Sequence, residues 1–172
     1  MSEAKGTSTP IDPSYLKLEG EDLLPSNESY RKAVGALLYI ATTTRPDITA
    51  TVGILCPRVS KPRQKDWNAI KRILQYLKET QRLNLKIFAS GDLTLRGYID
   101  ADWVGDSSDR KSTSGYMFKL GENSISWSST KQVSVTLPST GAEYTSAAYA
   151  SQEVIWLQQL LGDFGKPIGQ LL

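Results

Sequence analysis

Apolar positions along this chain change their period twice, and each change predicts a change of architecture. Between residues 1 and 27 no period is visible. Gly6, Pro10, Pro13, Gly20 and Pro25 stand among Ser, Thr and acids, which predicts an extended linker or strap. From Ser29, the residues Tyr30, Val34, Leu37, Leu38 and Ala41 recur at three- and four-residue steps, as on one face of a helix. Thr42-Thr43-Thr44-Arg45-Pro46 interrupts the pattern. Pro46 suits the first turn of a second helix, where its missing N–H does no harm, and that helix is expected to run through Ile48, Val52 and Leu55 and stop before Pro57. Pro62 is expected to open a third, with Trp67, Ile70, Leu74 and Leu77 on its buried side.

After Arg82 the period becomes two. Leu83–Ala89 and Leu93–Asp102 read as strands joined by a Ser90-Gly91-Asp92 hairpin turn. A polar loop follows, then Gly115–Leu120 and Ser124–Ser129 around Gly121-Glu122-Asn123, a second hairpin signal. Val133, Val135 and Leu137 alternate with Ser134 and Thr136 in a further strand ended by Pro138. A long helix is expected from about Thr140 to Leu161, closed by Gly162 and Gly165. The plan is therefore three helices, four or more strands, and one helix.

Composition narrows the chemistry. In 172 residues, 40% are hydrophobic and 22% charged, and four Trp, eight Tyr and three Phe supply enough apolar surface to exclude wholesale disorder. The longest apolar run, Ala33 to Ala41, is about half of what a membrane-spanning helix needs. The acidic, Ser-rich start lacks the layout of a secretory signal, so an intracellular setting without a membrane is expected. A single cysteine, Cys56, excludes an internal disulfide and reads as a small core residue. Histidine is absent, which removes Ser/His/Asp and Cys/His catalysis and the usual zinc ligands. Hydrolysis by this chain would have to rest on carboxylates and a metal ion.

The net charge of +2 conceals a pattern. Residues 1–30 hold six acids against two lysines, whereas residues 58–82 hold eight bases against Asp66 and Glu79. The basic block is either a solvated helix face or a phosphate-binding surface. Lys71, Lys78 and Arg82, at steps of seven and four, are expected to share one helical face that could follow a nucleic-acid backbone.

Among the acids, alternation puts Tyr98, Asp100 and Asp102 on one face of their strand and Leu95, Gly97, Ile99 and Ala101 on the other. In the last helix Glu143 heads a stripe continued by Ala147, Ala150, Val154, Leu157 and Leu161. Asp100 and Glu143 are candidate joint ligands of Mg²⁺, a hard cation that prefers oxygen. Alternatively Thr140-Gly141-Ala142-Glu143 is a capping box in which Glu143 only bonds back to the helix start. Asp106 and Asp109 fit a polar turn. The register from Asp100 suggests a calcium loop, but Val104 in its fifth and Lys111 in its twelfth position defeat that reading. Trp67, Trp103, Trp127 and Trp156 are expected to pack rather than to stack on bases.

Several longer motifs then appear in a fixed order. Tyr30-Arg31-Lys32-Ala33-Val34-Gly35-Ala36-Leu37-Leu38-Tyr39, Thr44-Arg45-Pro46-Asp47-Ile48, and Trp67 with Lys71-Arg72-Ile73-Leu74-Gln75-Tyr76-Leu77 resemble the end of the reverse transcriptase of Ty1/copia retrotransposons. Gly97-Tyr98-Ile99-Asp100-Ala101-Asp102-Trp103-Val104-Gly105-Asp106, Asp109 to Tyr116, Trp127 to Gln132 and Ser139 to Tyr144 resemble the opening of that family's ribonuclease H region. The resemblance implies a Pol polyprotein fragment of α+β or α/β class. Its parts would be an extended linker (1–28), a helical thumb or connection remnant (29–82) and a truncated RNase H-like domain (83–172), an incomplete mixed sheet with one long packing helix.

It also implies that Asp100 and Glu143 are catalytic Mg²⁺ ligands with Asp102 as an accessory acid. The implied partners are an RNA·DNA hybrid or other nucleic acid and the remainder of the polyprotein. The sequence departs from the family pattern at Pro138, where Ser is usual, and at Gly141, where Glu is usual. It ends before the family's third and fourth acidic ligands, so this chain is expected to be inactive, with an open sheet edge that the Leu83–Ala89 strand would cover.

Overall fold

The computed structural model describes residues 6–18, 22–89, 93–102, 111–132 and 139–166, with the backbone alone for Asp102, Ser139 and Thr140. The chain divides into two compact units, Met1–Leu85 and Lys86–Leu172.

The first unit is helical. α1 (Glu28–Thr43) buries Tyr30, Val34, Leu37 and Ala41, the stripe that its periodicity predicts, while Leu38 points to solvent. The predicted second helix is composite: a 3-10 turn at Pro46–Ile48, α2 (Thr49–Leu55) and a second 3-10 turn at Cys56–Ser60. Pro57 forces that last change, since it cannot donate the hydrogen bond that would continue α2. α3 (Gln64–Glu79) starts two residues after Pro62, and its buried side is Asp66, Ala69, Ile70, Ile73 and Tyr76. Trp67, Leu74 and Leu77 flank that stripe as partly buried neighbours.

Residues N-terminal to α1 lie against this bundle. Tyr15, in a 3-10 turn at Tyr15–Lys17, is buried in the helical core, Ile11, Leu16 and Leu24 pack against the same core, and Leu23 pairs with Arg63 in an antiparallel bridge. Arg72 holds the same strap by donating to the Thr9 carbonyl at 3.2 Å and the Thr9 hydroxyl at 2.9 Å. Asp12 lies 3.5 Å from that guanidinium.

A polar clamp closes the far end of the unit. Arg45 grips Asp47 through two parallel hydrogen bonds of 2.9 and 2.7 Å and also donates to the Thr80 hydroxyl and carbonyl. Tyr76 donates to the same Asp47 carboxylate at 2.8 Å. The Arg45 bonds, then the Tyr76 bond, hold the Asp47 carboxyl below its ordinary value of 3.8. A carboxyl lowered on folding stabilises the fold above its unfolded pKa, and that stabilisation is lost as pH falls through the folded one. The unit's melting temperature is therefore expected to drop from about pH 5 downward. Asp47→Asn should flatten that acid limb in thermal melts followed by circular dichroism; an unchanged limb would refute the clamp's role.

The second unit is mixed: β1 (Leu95–Asp102), β2 (Thr113–Leu120) and β3 (Asn123–Lys131) form an antiparallel sheet of order β1-β2-β3, packed on by α4 (Ser139–Asp163). β2 and β3 meet at the predicted tight turn, where Gly121 has φ +58°, a conformation natural to glycine. The helix ends at Asp163, and Gly165, at φ +67°, closes it; Gly162 lies inside it. Leu95 and Phe118 pack on Ala150, Val154 and Leu157 of α4, so that face of the sheet is the covered one. Gly97 lies there opposite Phe118 because a Cβ at this position would stand 2.7 Å from the ring's Cε1. Gly97→Ala is expected to cost about 1–3 kcal/mol in urea unfolding, the penalty of overpacking a buried ring; a neutral result would show that the ring can move aside.

The expected Leu83–Ala89 strand does not form. β1 pairs with β2 instead, and residues 83–89 carry no strand. A side chain binds the backbone there: Phe88 N–H donates to Asn123 Oδ1 at 2.6 Å, and Asn123 Nδ2 donates to the Phe88 carbonyl at 3.0 Å. One amide thus does what a neighbouring strand would do. It leaves Ile87 79% exposed and β1 paired on one side only among the described residues, so the expected cover for that edge is absent there. The predicted strand at 133–137 lies outside the described residues.

Candidate active-site carboxylates and basic face

Asp100 sits near the end of β1, opposite Gly115, with its carboxylate exposed and one oxygen accepting the Ala101 N–H at 2.9 Å. Side chains directly across an antiparallel pair share a face. The register therefore groups Asp100 with Tyr98 and Met117, on the face that α4 does not cover. The side chain of Asp102 lies outside the described residues.

Glu143 is in the first turn and a half of α4, where its carboxylate is exposed. The buried stripe of α4 starts one residue earlier than expected. It runs Ala142, Ser146, Ala150, Val154, Leu157, with Glu143 beside it rather than at its head. The helix turns this way because Ala142 and Ser146 are anchored: Gln132 Nε2 donates to the Ala142 carbonyl at 2.9 Å and to Ser114 Oγ at 2.8 Å, and Ser146 donates to Ser114 at 2.7 Å. Among the described residues, no three Asp, Glu, Cys or His side chains are grouped to hold a metal.

In the helical unit, Lys71 and Lys78 are exposed on α3, seven residues and about two turns apart. Arg82 is exposed but lies beyond the helix, so the expected alignment of all three along one helical face is corrected to the two lysines. α3 stops at Glu79 because the Thr80 hydroxyl bonds back to the Tyr76 carbonyl while Arg45 takes the Thr80 carbonyl. Two other bases of the block, Arg72 and Lys65, bind the strap at Thr9 and at the Leu18 carbonyl. Of the tryptophans, Trp67 packs against the helical core, whereas Trp156 is 52% exposed, against expectation, on the side of α4 that the sheet leaves open. Cys56 packs at the edge of the helical core, and burial pushes its thiol up.

Sequence reasoning missed Asp66 and the cleft beside Glu153. Asp66 is fully buried, accepting the Tyr15 phenol at 2.6 Å and the Arg63 N–H at 2.7 Å. Its place three residues after Arg63 was the available signal, that of an acid bonding back to a helix start.

These features define a two-part α+β protein with exposed carboxylates on its sheet unit, whose described strands are all antiparallel where a mixed sheet was expected, and a basic face on its helical unit. Over nearly its whole length the chain is similar to retrovirus-related Pol polyproteins of copia-type transposons. It is 42% identical over 166 residues to the Pol polyprotein from transposon RE2 of Arabidopsis thaliana, covering 96% of this chain and 11% of that protein. It is 38% identical over 173 residues to the Pol polyprotein from transposon TNT 1-94 of Nicotiana tabacum, covering 96% and 13%. It is also 47% identical over 131 residues to secreted RxLR effector protein 161 of Plasmopara viticola, covering 76% of this chain and 92% of that one. The chain thus spans about a tenth of the length of the polyproteins it matches. No family profile and no solved structure matches it. Among the described residues, no helix is long and apolar enough to cross a membrane.

Proposed function

We propose that this chain is the segment of a copia-type Pol polyprotein that joins the end of the reverse transcriptase to an RNase H-like unit. In the parent that unit cuts the RNA of RNA·DNA hybrids with Mg²⁺. The observation that carries the reading is the near-complete alignment of this chain, at 38–42% identity, with retrotransposon Pol polyproteins. In this reading Asp100 and Glu143 hold the metal, with Asp102 accessory, and Lys71, Lys78 and Arg82 contact the duplex backbone. Two ions that stabilise attacking and leaving oxygens need several carboxylates, and Asp100 and Glu143 are two. By itself the chain is therefore expected not to cleave a labelled hybrid in Mg²⁺. Cleavage that Asp100→Asn abolishes would overturn the expected inactivity and establish the site.

Binding is tested separately. Affinity for a hybrid should fall steeply with salt, because each neutralised phosphate releases counterions. Replacing Lys71 or Lys78 by alanine should each lower the salt slope by about one. Unchanged affinity and slope in the double variant would remove the basic face from the proposal.

A second reading, a non-catalytic remnant that works by contact with a partner, draws support from one observation. The matched region makes up 92% of a protein described as a secreted effector, not as a polyprotein. Hybrid binding absent at all salt concentrations would favour it.

A further inference from the structure

A cleft of about 400 Å³ opens between the covered face of the sheet and one flank of α4, on the side of the sheet away from Asp100. Tyr116, Ser128 and Thr130 form its sheet wall, and Tyr149, Gln152 and Glu153 form its helix wall. The volume falls within the range of small-ligand sites, and the lining combines two aromatic rings with a few convergent polar groups, as such sites do.

Its electrostatics are one-sided. Glu153 is half-buried, and Ser126 donates to its Oε1 at 2.6 Å. Burial first, then the Glu153 charge, pushes the Tyr116 phenol up. Among the described residues no Lys or Arg lies within ion-pair distance of Glu153. Lys131 borders the cleft, but it pairs with Thr113, whose parity is opposite to that of Ser114 and Tyr116, so alternation turns its side chain to the other face of the sheet.

A carboxylate accepts about four hydrogen bonds, and Ser126 supplies one of them to Glu153. The Ser128 and Thr130 hydroxyls share one bond at 3.1 Å, and the Gln152 amide adds one acceptor oxygen and two N–H donors. A negative, aromatic-walled cleft is complementary to a planar cation carrying several N–H groups. Guanidinium has five N–H donors in a flat fork that pairs with a carboxylate and stacks on a tyrosine ring.

We propose that this cleft is a binding site for an arginine side chain presented by a partner polypeptide, with Glu153 as its counter-ion and Tyr116 and Tyr149 as its walls. It is independent of the nuclease reading, because it uses neither Asp100 nor Glu143.

The test is an NMR titration of the whole chain with the peptide acetyl-Gly-Arg-Gly-amide, alongside the same peptide carrying citrulline, which has the same shape without charge, or lysine. Saturable shifts of the Tyr116, Tyr149 and Glu153 amides by the arginine peptide are expected. Binding should weaken at least tenfold with citrulline and in Glu153→Gln, which keeps an acceptor for Ser126, and several-fold in Tyr149→Ala. Retained amide dispersion in each variant separates lost binding from lost folding. Equal binding of the citrulline peptide, full binding by Glu153→Gln, shifts confined to other residues, or no saturable binding would each overturn the proposal. Equal binding of the lysine peptide would overturn the assignment to guanidinium.

Discussion

Replacing Asp66 by alanine is expected to destabilise the helical unit by about 3 kcal/mol or more, seen as a lower midpoint in urea unfolding followed by far-ultraviolet circular dichroism. The carboxylate is fully buried and satisfies two donors at once: the Tyr15 phenol at 2.6 Å and the Arg63 N–H at 2.7 Å. Removing it strands the Tyr15 phenol in the interior and leaves the half-buried Arg63 N–H without its partner, and each unsatisfied donor costs about 1–3 kcal/mol. The Arg63 bond is also half of a capping box at the start of α3; arginine has no acceptor with which to return it.

Two further variants separate the contributions. Tyr15→Phe removes one donor but leaves the carboxylate its Arg63 bond, so its cost should be about half. Asp66→Asn retains one good acceptor and should fall between. The double variant Tyr15→Phe with Asp66→Ala should cost less than the two single changes added together, since the phenol is no longer stranded. Strict additivity, or an Asp66→Ala protein with an unchanged midpoint, would mean that water reaches these groups and that the strap is not fastened there.

Phe118→Ala is expected to cost the sheet unit about 3–5 kcal/mol. The ring is almost wholly buried, contacts Leu95 and the α4 residues Ala150, Val154 and Leu157, and lies 5.4 Å from the Tyr116 ring centroid. Because the cluster around it has few members, the void cannot be refilled by neighbours. Loss of amide dispersion across β1, β2, β3 and α4 is the expected spectrum. A well-dispersed spectrum and a cost under about 1 kcal/mol would instead show a core held by the Gln132–Ser114–Ser146 hydrogen bonds rather than by the ring.

Much of the local structure was legible in the chain. The three- and four-residue recurrence of Tyr30, Val34, Leu37 and Ala41 predicted the buried face of α1 because residues at that spacing share one side of a helix, although Leu38, in the same recurrence, is exposed. Gly121-Glu122-Asn123 predicted the β2–β3 turn because a tight hairpin needs a residue that tolerates positive φ. Leu83–Ala89 misled for an equally physical reason. Alternation makes a segment able to form a strand, but a strand also needs a neighbour, and among the described residues β1 meets β2 while Phe88 meets the side-chain amide of Asn123. On α4 the small residues Ala142, Ser146 and Ala147 carry little hydrophobic signal. Spacing therefore could not decide whether Glu143 or Ala142 begins the buried stripe, and the Gln132 and Ser146 hydrogen bonds decided it.

The order and type of most elements, the similarity to copia-type Pol polyproteins, and which side chains carry carboxylate or cationic groups could be read from the chain alone. Those properties are local: they follow from residue identity and spacing. Tertiary structure alone decided that Asp66 lies buried under Tyr15, 51 residues away, that Asp100 occupies the sheet face opposite the one α4 covers, and that Glu153 closes a cleft with Tyr116. Each depends on which distant segments pack together. Burial and charge pairing are set by neighbours in space, and a one-dimensional pattern does not contain them.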